Sequence, residues 1–525
     1  MIPNKTVVNG YANTRNGTYK GIICHAPFVN LNFEQNGNVR ACCYNTQHIL
    51  GQWPQQSIKQ IWQGESAAQL RGYIKQNNLG GGCAECGKML EAGNYHGVRA
   101  RYYDEFAPNT LGTRLNYLKQ SLGGAVPYPR VMEFELSNTC NLECIMCNGY
   151  FSSSIRKNRE HLPPIESPYN DKFVDELDEF IPHLTDAKFL GGEPFMIDIY
   201  LSIWERIRKL NPNIRIHITT NGTFLNNRIK DLLEGLKAGI ILSIDSVNKE
   251  TYPKIRVNGS YDKVMENLEY FRDYTKRKST FLSMAACPIT YNWKELPEML
   301  AFCIEKNIAL YFNAVFSPSD LSLRDQSPAY LQEVITYLEE HPAPGINGSP
   351  RTPGNLSIQA YNDFINLLRG WLEEAKAKET QAYTPGTQNQ SAEIEAYLNN
   401  GEAVEWNIDT VRQTISKLGE IAAFGYDDKD KQLRLQIAKL FASTPAGQVQ
   451  QLLQCYPELY DAQNHTEAVS ATAEKIKFIS AGIEQHPKRR EVLTQISQSS
   501  APVFTKVLLE RDLKDLQSDM QSLFS

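Results

Sequence analysis

Between residues 131 and 316 the hydrophobic pattern switches repeatedly between two periods. Short runs rich in β-branched and aromatic residues, VMEFEL (131–136), AKFL (187–190), IRIHITT (214–220), GIILSID (239–245), TFLSMAA (280–286) and IALYFNAVF (308–316), read as strands. Between them lie stretches such as KFVDELDEFIPHL, IYLSIWERIRKL and DKVMENLEYFRDY, whose apolar residues recur at three- and four-residue spacing and read as amphipathic helices. Alternation of this kind predicts βα units on a parallel sheet. A closed eight-stranded barrel takes ~250 residues, more than this zone holds. The pattern therefore predicts an α/β fold with a partial (β/α)6 TIM-like barrel over residues 126–320, an open doubly wound sheet being the alternative.

After Pro318 the strand signal stops, and PAYLQEVITYLEEH, YNDFINLLRGWLEEAKAKE, TVRQTISKLGEIAAF and DLKDLQSDMQSLF predict an α-helical accessory region over 321–525. Within it, the polar TPGTQNQSA (384–392) reads as a linker. Residues 1–125 hold five of the eleven cysteines and are expected to form a small Cys-rich β-hairpin and helix domain.

Composition narrows the function classes. With 42% hydrophobic and 22% charged residues the 525-residue chain has the makeup of a globular protein. A formal charge of -5 lacks the basic excess of a nucleic-acid binder. No run of ~18–20 uncharged apolar residues offers a membrane span, and the first residues lack the apolar core of a signal peptide. The expectation is a soluble cytoplasmic protein without nucleic-acid or membrane partners, whose cysteines stay reduced and available to metals.

Directly after the first predicted barrel strand, ELSNTCNLECIMCN places Cys140, Cys144 and Cys147 in a C-x3-C-x2-C pattern. A short loop of this kind can wrap three thiolates around three irons of one [4Fe–4S] cluster, leaving the fourth iron for a small molecule. Structural zinc needs four ligands, and no nearby Cys or His completes the set. The position fits as well, because active sites of barrels gather at the C-terminal ends of the strands.

The triplet in CNLECIMC, followed in order by GGEP (191–194), TTNG (219–222) and SIDS (243–246), resembles the radical S-adenosylmethionine (SAM) superfamily. The resemblance implies that the open iron chelates the methionine part of SAM, and that one electron cleaves SAM to a 5'-deoxyadenosyl radical that abstracts hydrogen from a substrate C–H. It implies backbone contacts to the SAM amino group from Gly191, Gly192 and Glu193, with Pro194 closing the motif, and a further contact at Asn221. Ser243 and Asp245 would face the ribose or the carboxylate. Arg256, in KIRVNGSYDKV, would neutralise the carboxylate, and a solvated surface arginine explains it equally well. Met146 stands where the family often has an aromatic residue near the adenine. An external flavodoxin- or ferredoxin-like one-electron reductant is implied too. No acid or base residue is singled out.

Farther upstream, CHAPFVNLNFEQNGNVRACC places Cys24, Gly37 and Cys42 around an expected hairpin, and GGGCAEC adds Cys83 and Cys86. By spacing alone the four thiols suit a zinc ribbon or an iron–sulfur cluster. The C-x12-G-x4-C element with a later C-x-x-C resembles the SPASM and twitch auxiliary-cluster domains of radical SAM enzymes, here ahead of the barrel rather than behind it. That implies a second, auxiliary [4Fe–4S] cluster held by Cys24, Cys42, Cys83 and Cys86, with Cys43 the alternative to Cys42. Enzymes of this kind often oxidise or cross-link peptide or protein side chains in natural-product peptide maturation. A dehydrogenase or rearrangement enzyme on a small molecule such as a sugar is the alternative, and a zinc-binding scaffold on a degenerate barrel the outside one. Cys287 sits at the expected rim of the site, whereas Cys303 and Cys455 read as core residues.

Overall fold

The computed structural model describes residues 2–15, 21–45, 47–95, 97–108, 115 and 126–382. Its strands are β1 (Asn30–Glu34), β2 (Asn38–Arg40), β3 (Gly51–Gln52), β4 (Val131–Glu135), β5 (Asp186–Phe189), β6 (Arg215–Thr220), β7 (Ala238–Ser243), β8 (Leu282–Ala286) and β9 (Ala309–Phe312). They form one sheet in the order β3-β2-β1-β4-β5-β6-β7-β8-β9. Strands β4 to β9 are all parallel, and helices such as Asp198–Leu210, Tyr261–Lys278 and Leu296–Lys306 connect them. This is the α/β partial barrel that the alternating pattern predicts. The last strand ends at Phe312 rather than 316, because Phe312 pairs with Ala286, the final residue of β8, and no partner continues beyond it.

The N-terminal hairpin is part of the same sheet. β1 pairs in parallel with β4, Asn32 opposite Glu133 and Phe33 opposite Phe134, so among the described residues the hairpin and the barrel share one sheet. The cause is an aromatic row on the helix-facing side. Phe33 stacks on Phe134 at 5.5 Å between ring centroids, and Phe134 on Phe189 at 5.0 Å, across three neighbouring strands. Burying aromatic pairs of this sort contributes their full apolar area plus about 0.5–1.5 kcal/mol each. The other side of these strands, toward the inside of the barrel, carries Asn32, Glu34, Glu133, Glu135 and Lys188, as alternation along a pleated strand requires.

The boundary expected near residue 320 is displaced in the same way. Helices Pro328–Glu340 and Pro353–Ala382 occur where the apolar periodicity places them. Leu331, Ile335, Tyr361, Phe364 and Leu368 from them join the barrel's own core, and the chain divides at Ala375. The predicted linker at 384–392, the later helices and Cys455 lie outside the described residues. Among the described residues no helix is long and apolar enough to cross a membrane.

One glycine fixes the hairpin. Gly37 has φ +87°, and a Cβ there would overlap the Trp53 carbonyl oxygen. Gly37→Ala is therefore expected to destabilise the protein by about 2–4 kcal/mol. Gly72→Ala, in the helix Glu65–Lys75 with nothing within 4 Å of its added carbon, should be neutral or stabilising. Urea unfolding of the two variants side by side checks this.

Candidate active site

The loop after β4 is held by short polar clamps. Ser152 Oγ donates to Leu142 O at 2.7 Å and Ser154 Oγ to Cys140 O at 2.8 Å, while Ser153 Oγ accepts from the Cys140 N–H at 3.1 Å. Three consecutive serines at the start of the helix Ser153–Asn158 thus tie down the carbonyls and amides of the cysteine loop. A second strap runs to the segment after β7, where Glu143 N donates to Val257 O and Ile145 N to Ile255 O, both at 3.0 Å. Residue 256 lies between those two acceptors, which is why its side chain arrives at the thiols.

Arg256 is largely buried, its side chain 11% exposed, and is not a surface arginine. Its Nη1 stands 3.8 Å from Cys144 Sγ and its Nε donates to Asp245 Oδ2 at 2.6 Å. Asp245 is 0% exposed, accepts from the Cys287 N–H at 2.7 Å, and so is engaged by protein groups on both oxygens. Ser243 closes β7 on the strand face that points into the barrel. Asn221 Nδ2 reaches Cys140 Sγ at 3.8 Å and Asn141 Oδ1 at 3.1 Å. Met146 packs with Ile145 against Ile255, Ile289 and Val315, beside Cys287.

The GGEP turn is keyed to the cysteine loop through its backbone. Gly192 N donates to Ser137 O and Glu193 N to Thr139 O. Gly191 has φ +105°, a Cβ on it would stand 2.7 Å from Ser137 O, and one on Gly192 would overlap Thr139 O. These amides are consumed, so an amino group approaching the turn would meet carbonyls. Pro194 opens the short turn Pro194–Met196. Glu193 contributes more than its backbone, because its fully buried carboxyl accepts from Thr220 Oγ1, Asn221 N and Phe195 N at 2.7, 2.7 and 3.1 Å. Burial pushes this carboxyl up to about 7 against those hydrogen bonds. It bolts the turn after β5 to the turn after β6, a role the motif alone did not reveal.

The four N-terminal thiols come together. Cys24, Cys42, Cys83 and Cys86 line one cavity with Tyr44, Asn45, Leu79, Arg99 and Tyr103. Cys83 precedes the helix Ala84–Glu91 and Cys86 lies in its first turn. Gly82, at φ +81°, makes the bend, and Asn45 Nδ2 holds Gly81 O at 2.8 Å. Cys43 faces elsewhere, toward Glu133, Arg99, Glu135 and Lys188.

The donor sets suit iron–sulfur clusters. Burial raises every one of these thiols, Cys140 to about 12, Cys147 and Cys83 to about 11, and Cys24, Cys42, Cys86 and Cys144 upward too. Thiolates in such surroundings need a bound cationic centre to exist at neutral pH. Among the described residues no three His, Cys, Asp or Glu converge closely enough to hold a single metal ion. Four thiols around one cavity and three in one short loop are donor sets of the kind that hold a polynuclear cluster.

The two thiol sites lie at opposite ends of the β1–β4 pair. Cys42 follows β2 beside the start of β4, and the triplet follows the end of β4. Between them Glu133 accepts from Lys188 Nζ at 2.9 Å, with Tyr103 Oη and Asn30 Nδ2 each at 3.4 Å. Tyr103 also lines the N-terminal cavity. The signal for this inner polar face was present as the acids at every second position of VMEFE, where a parallel barrel strand is otherwise apolar.

Comparison with known proteins bears on both sites. Residues 134–303 match the Radical SAM superfamily, and residues 24–87 match the SPASM iron-sulfur cluster-binding domain. A probable GTP 3',8-cyclase of Methanocaldococcus jannaschii is 28% identical over 179 residues, 33% of this chain and 55% of that protein. An AdoMet-dependent heme synthase of Methanosarcina barkeri is 28% identical over 154 residues, 27% of this chain and 39% of that protein. The chain thus spans about half or less of the length of these curated relatives. Among solved structures, Streptococcus suis SuiB bound to S-adenosylmethionine aligns with TM-score 0.31 and 16% identity over 51% of this chain and 61% of that one.

Proposed function

We infer, from a chain that carries a radical SAM domain with a SPASM domain ahead of it, that this radical SAM enzyme modifies a side chain of a peptide or protein by oxidation or cross-linking. Two [4Fe–4S] clusters and SAM are the cofactors that these domains imply. When bound, they supply one-electron cleavage of SAM and hydrogen abstraction from a substrate carbon. Cys140, Cys144 and Cys147 would hold the first cluster, and Cys24, Cys42, Cys83 and Cys86 the auxiliary one. Gly191, Gly192, Asn221, Ser243 and Arg256 would position SAM, with Asp245 orienting Arg256 and Met146 beside the adenine. Pro194 and the Glu193 carboxyl keep the turn rigid. A flavodoxin- or ferredoxin-like protein would deliver the electron.

The observation that carries the peptide reading is the SPASM match over all four N-terminal cysteines. A full set of four thiols leaves that cluster no open iron, which suits removal of an electron from a substrate rather than substrate binding. A small-molecule substrate is the second reading, supported by relatives that are GTP 3',8-cyclases. The two separate in one assay. Reconstituted enzyme with SAM and dithionite is offered synthetic peptide pools or a pool of nucleotides and sugars, and 5'-deoxyadenosine is counted above the substrate-free rate. The peptide pools are expected to raise it; a rise with the small molecules alone contradicts the reading.

A further inference from the structure

Among the described residues, the cavity lined by Cys24, Cys42, Cys83 and Cys86 has a single cationic side chain in its wall, Arg99. Its backbone is fixed to the site, because the Arg99 and Ala100 N–H groups donate to Cys86. Its guanidinium lies over the Tyr102 ring, 4.8 Å from the centroid. The carboxylate that it approaches, Glu133, stands 3.9 Å from Nη2, too far for a hydrogen bond. Lys188 Nζ already donates to that same oxygen at 2.9 Å. The Arg99 Nε is buried and has no partner.

The other arginine of this region is placed differently. Arg15 donates from Nε to Asp104 Oδ2 at 2.7 Å, from Nη2 to Oδ1, and from Nη1 to Ile22 O at 2.6 Å, so its charge is matched within its own ion pair. Arg99 has no such pair, and a buried N–H without an acceptor is costly until one arrives. Asn45 and Tyr103 in the same wall are engaged elsewhere, Asn45 with Gly81 O and His48 N and Tyr103 with Glu133. Sulfur is the main acceptor that the cavity leaves to Arg99.

Charge and hydrogen bonds to sulfur are what set the potential of an iron–sulfur cluster. Four thiolates give a [4Fe–4S] cluster a net negative charge, and one-electron reduction adds another, so a cation against it favours the reduced form. We propose that Arg99 sets the redox poise of the auxiliary site, its charge and its Nε–H biasing the cluster held by Cys24, Cys42, Cys83 and Cys86 about tenfold toward reduction. The inference rests on the assignment of those four thiols to an auxiliary cluster under the proposed function. It gives that cluster the means to accept an electron inside an otherwise negative ligand set.

The test is an anaerobic redox titration of the reconstituted full chain followed by electron paramagnetic resonance, the first cluster being recognised by its response to SAM. Arg99→Met is expected to keep the iron and to shift the auxiliary equilibrium about tenfold toward the oxidised form, about 59 mV lower for one electron. Arg99→Lys, which keeps the charge, should recover at least half of that shift, and the first cluster should not move in either variant. A shift under threefold in Arg99→Met, or an equal shift of both clusters, overturns the proposal. Arg99→Lys displaced as far as Arg99→Met overturns it too, since disturbed packing would then be the cause. If Arg99→Met sheds the auxiliary iron, Arg99→Gln decides in its place, with the same lowering expected and an unchanged potential overturning the proposal. Wild type with only about four irons overturns the auxiliary assignment instead, and iron analysis shows that before any potential is read.

Discussion

Replacing Arg256 by Met is expected to lower the stability of the protein by about 3–5 kcal/mol and to abolish measurable SAM binding. The stability loss follows from Asp245, which is 0% exposed and paired to Arg256 at 2.6 Å. Without the guanidinium its carboxylate is a buried charge with one backbone N–H for company. The loss of SAM binding follows from the second contact of the same side chain, 3.8 Å from Cys144, which places a positive charge beside the first cluster site. The double variant Arg256→Met with Asp245→Asn separates the two effects. Removing both charges should restore most of the stability, because the cost lies in the orphaned partner, while SAM binding stays lost. Unfolding and SAM titration of the three proteins check both parts. A single variant as stable as wild type would show that the pair is solvated.

Cys42→Ser is expected to remove the auxiliary cluster, about four irons, and Cys43→Ser to leave the iron content intact. Cys42 shares its cavity with Cys24, Cys83 and Cys86, whereas Cys43 faces Glu133, Arg99 and Lys188 on the inner side of the sheet. The two thiols are neighbours in sequence and equally buried in character, so a non-specific effect of losing a cysteine would strike both alike. Loss of iron from Cys43→Ser, or its retention in Cys42→Ser, would reverse the assignment. Iron analysis of both variants, with the first cluster followed by its SAM-dependent spectrum, makes the comparison.

The parts of the molecule legible in the sequence are those set by local pattern. Six barrel strands follow from runs such as IRIHITT and GIILSID, and the cysteine spacings point to two thiol sites. What stayed hidden depends on contacts between distant segments. NLNFE alternates as any half-buried strand does, and nothing local says that Phe33 will stack on Phe134 a hundred residues later and draw the hairpin into the barrel. Arg256 is one arginine among many until the straps at Ile255 and Val257 carry it to Cys144. In GGEP the glycines announce a close backbone approach, but the three hydrogen bonds that the Glu193 carboxyl accepts come from turns after β5 and β6 that only the sheet order brings together.

If two separate iron–sulfur clusters serve SAM chemistry, one of them held by Cys140, Cys144 and Cys147, then removing those three thiols halves the iron and stops SAM cleavage. Anaerobic iron and sulfide analysis of reconstituted wild type beside the variant with all three changed to Ala, with 5'-deoxyadenosine assayed after adding SAM and dithionite, tests it most directly. Wild type is expected to hold about eight irons and the variant about four, with 5'-deoxyadenosine formed by wild type alone. Zinc in place of iron, or 5'-deoxyadenosine formed equally by both proteins, would contradict it.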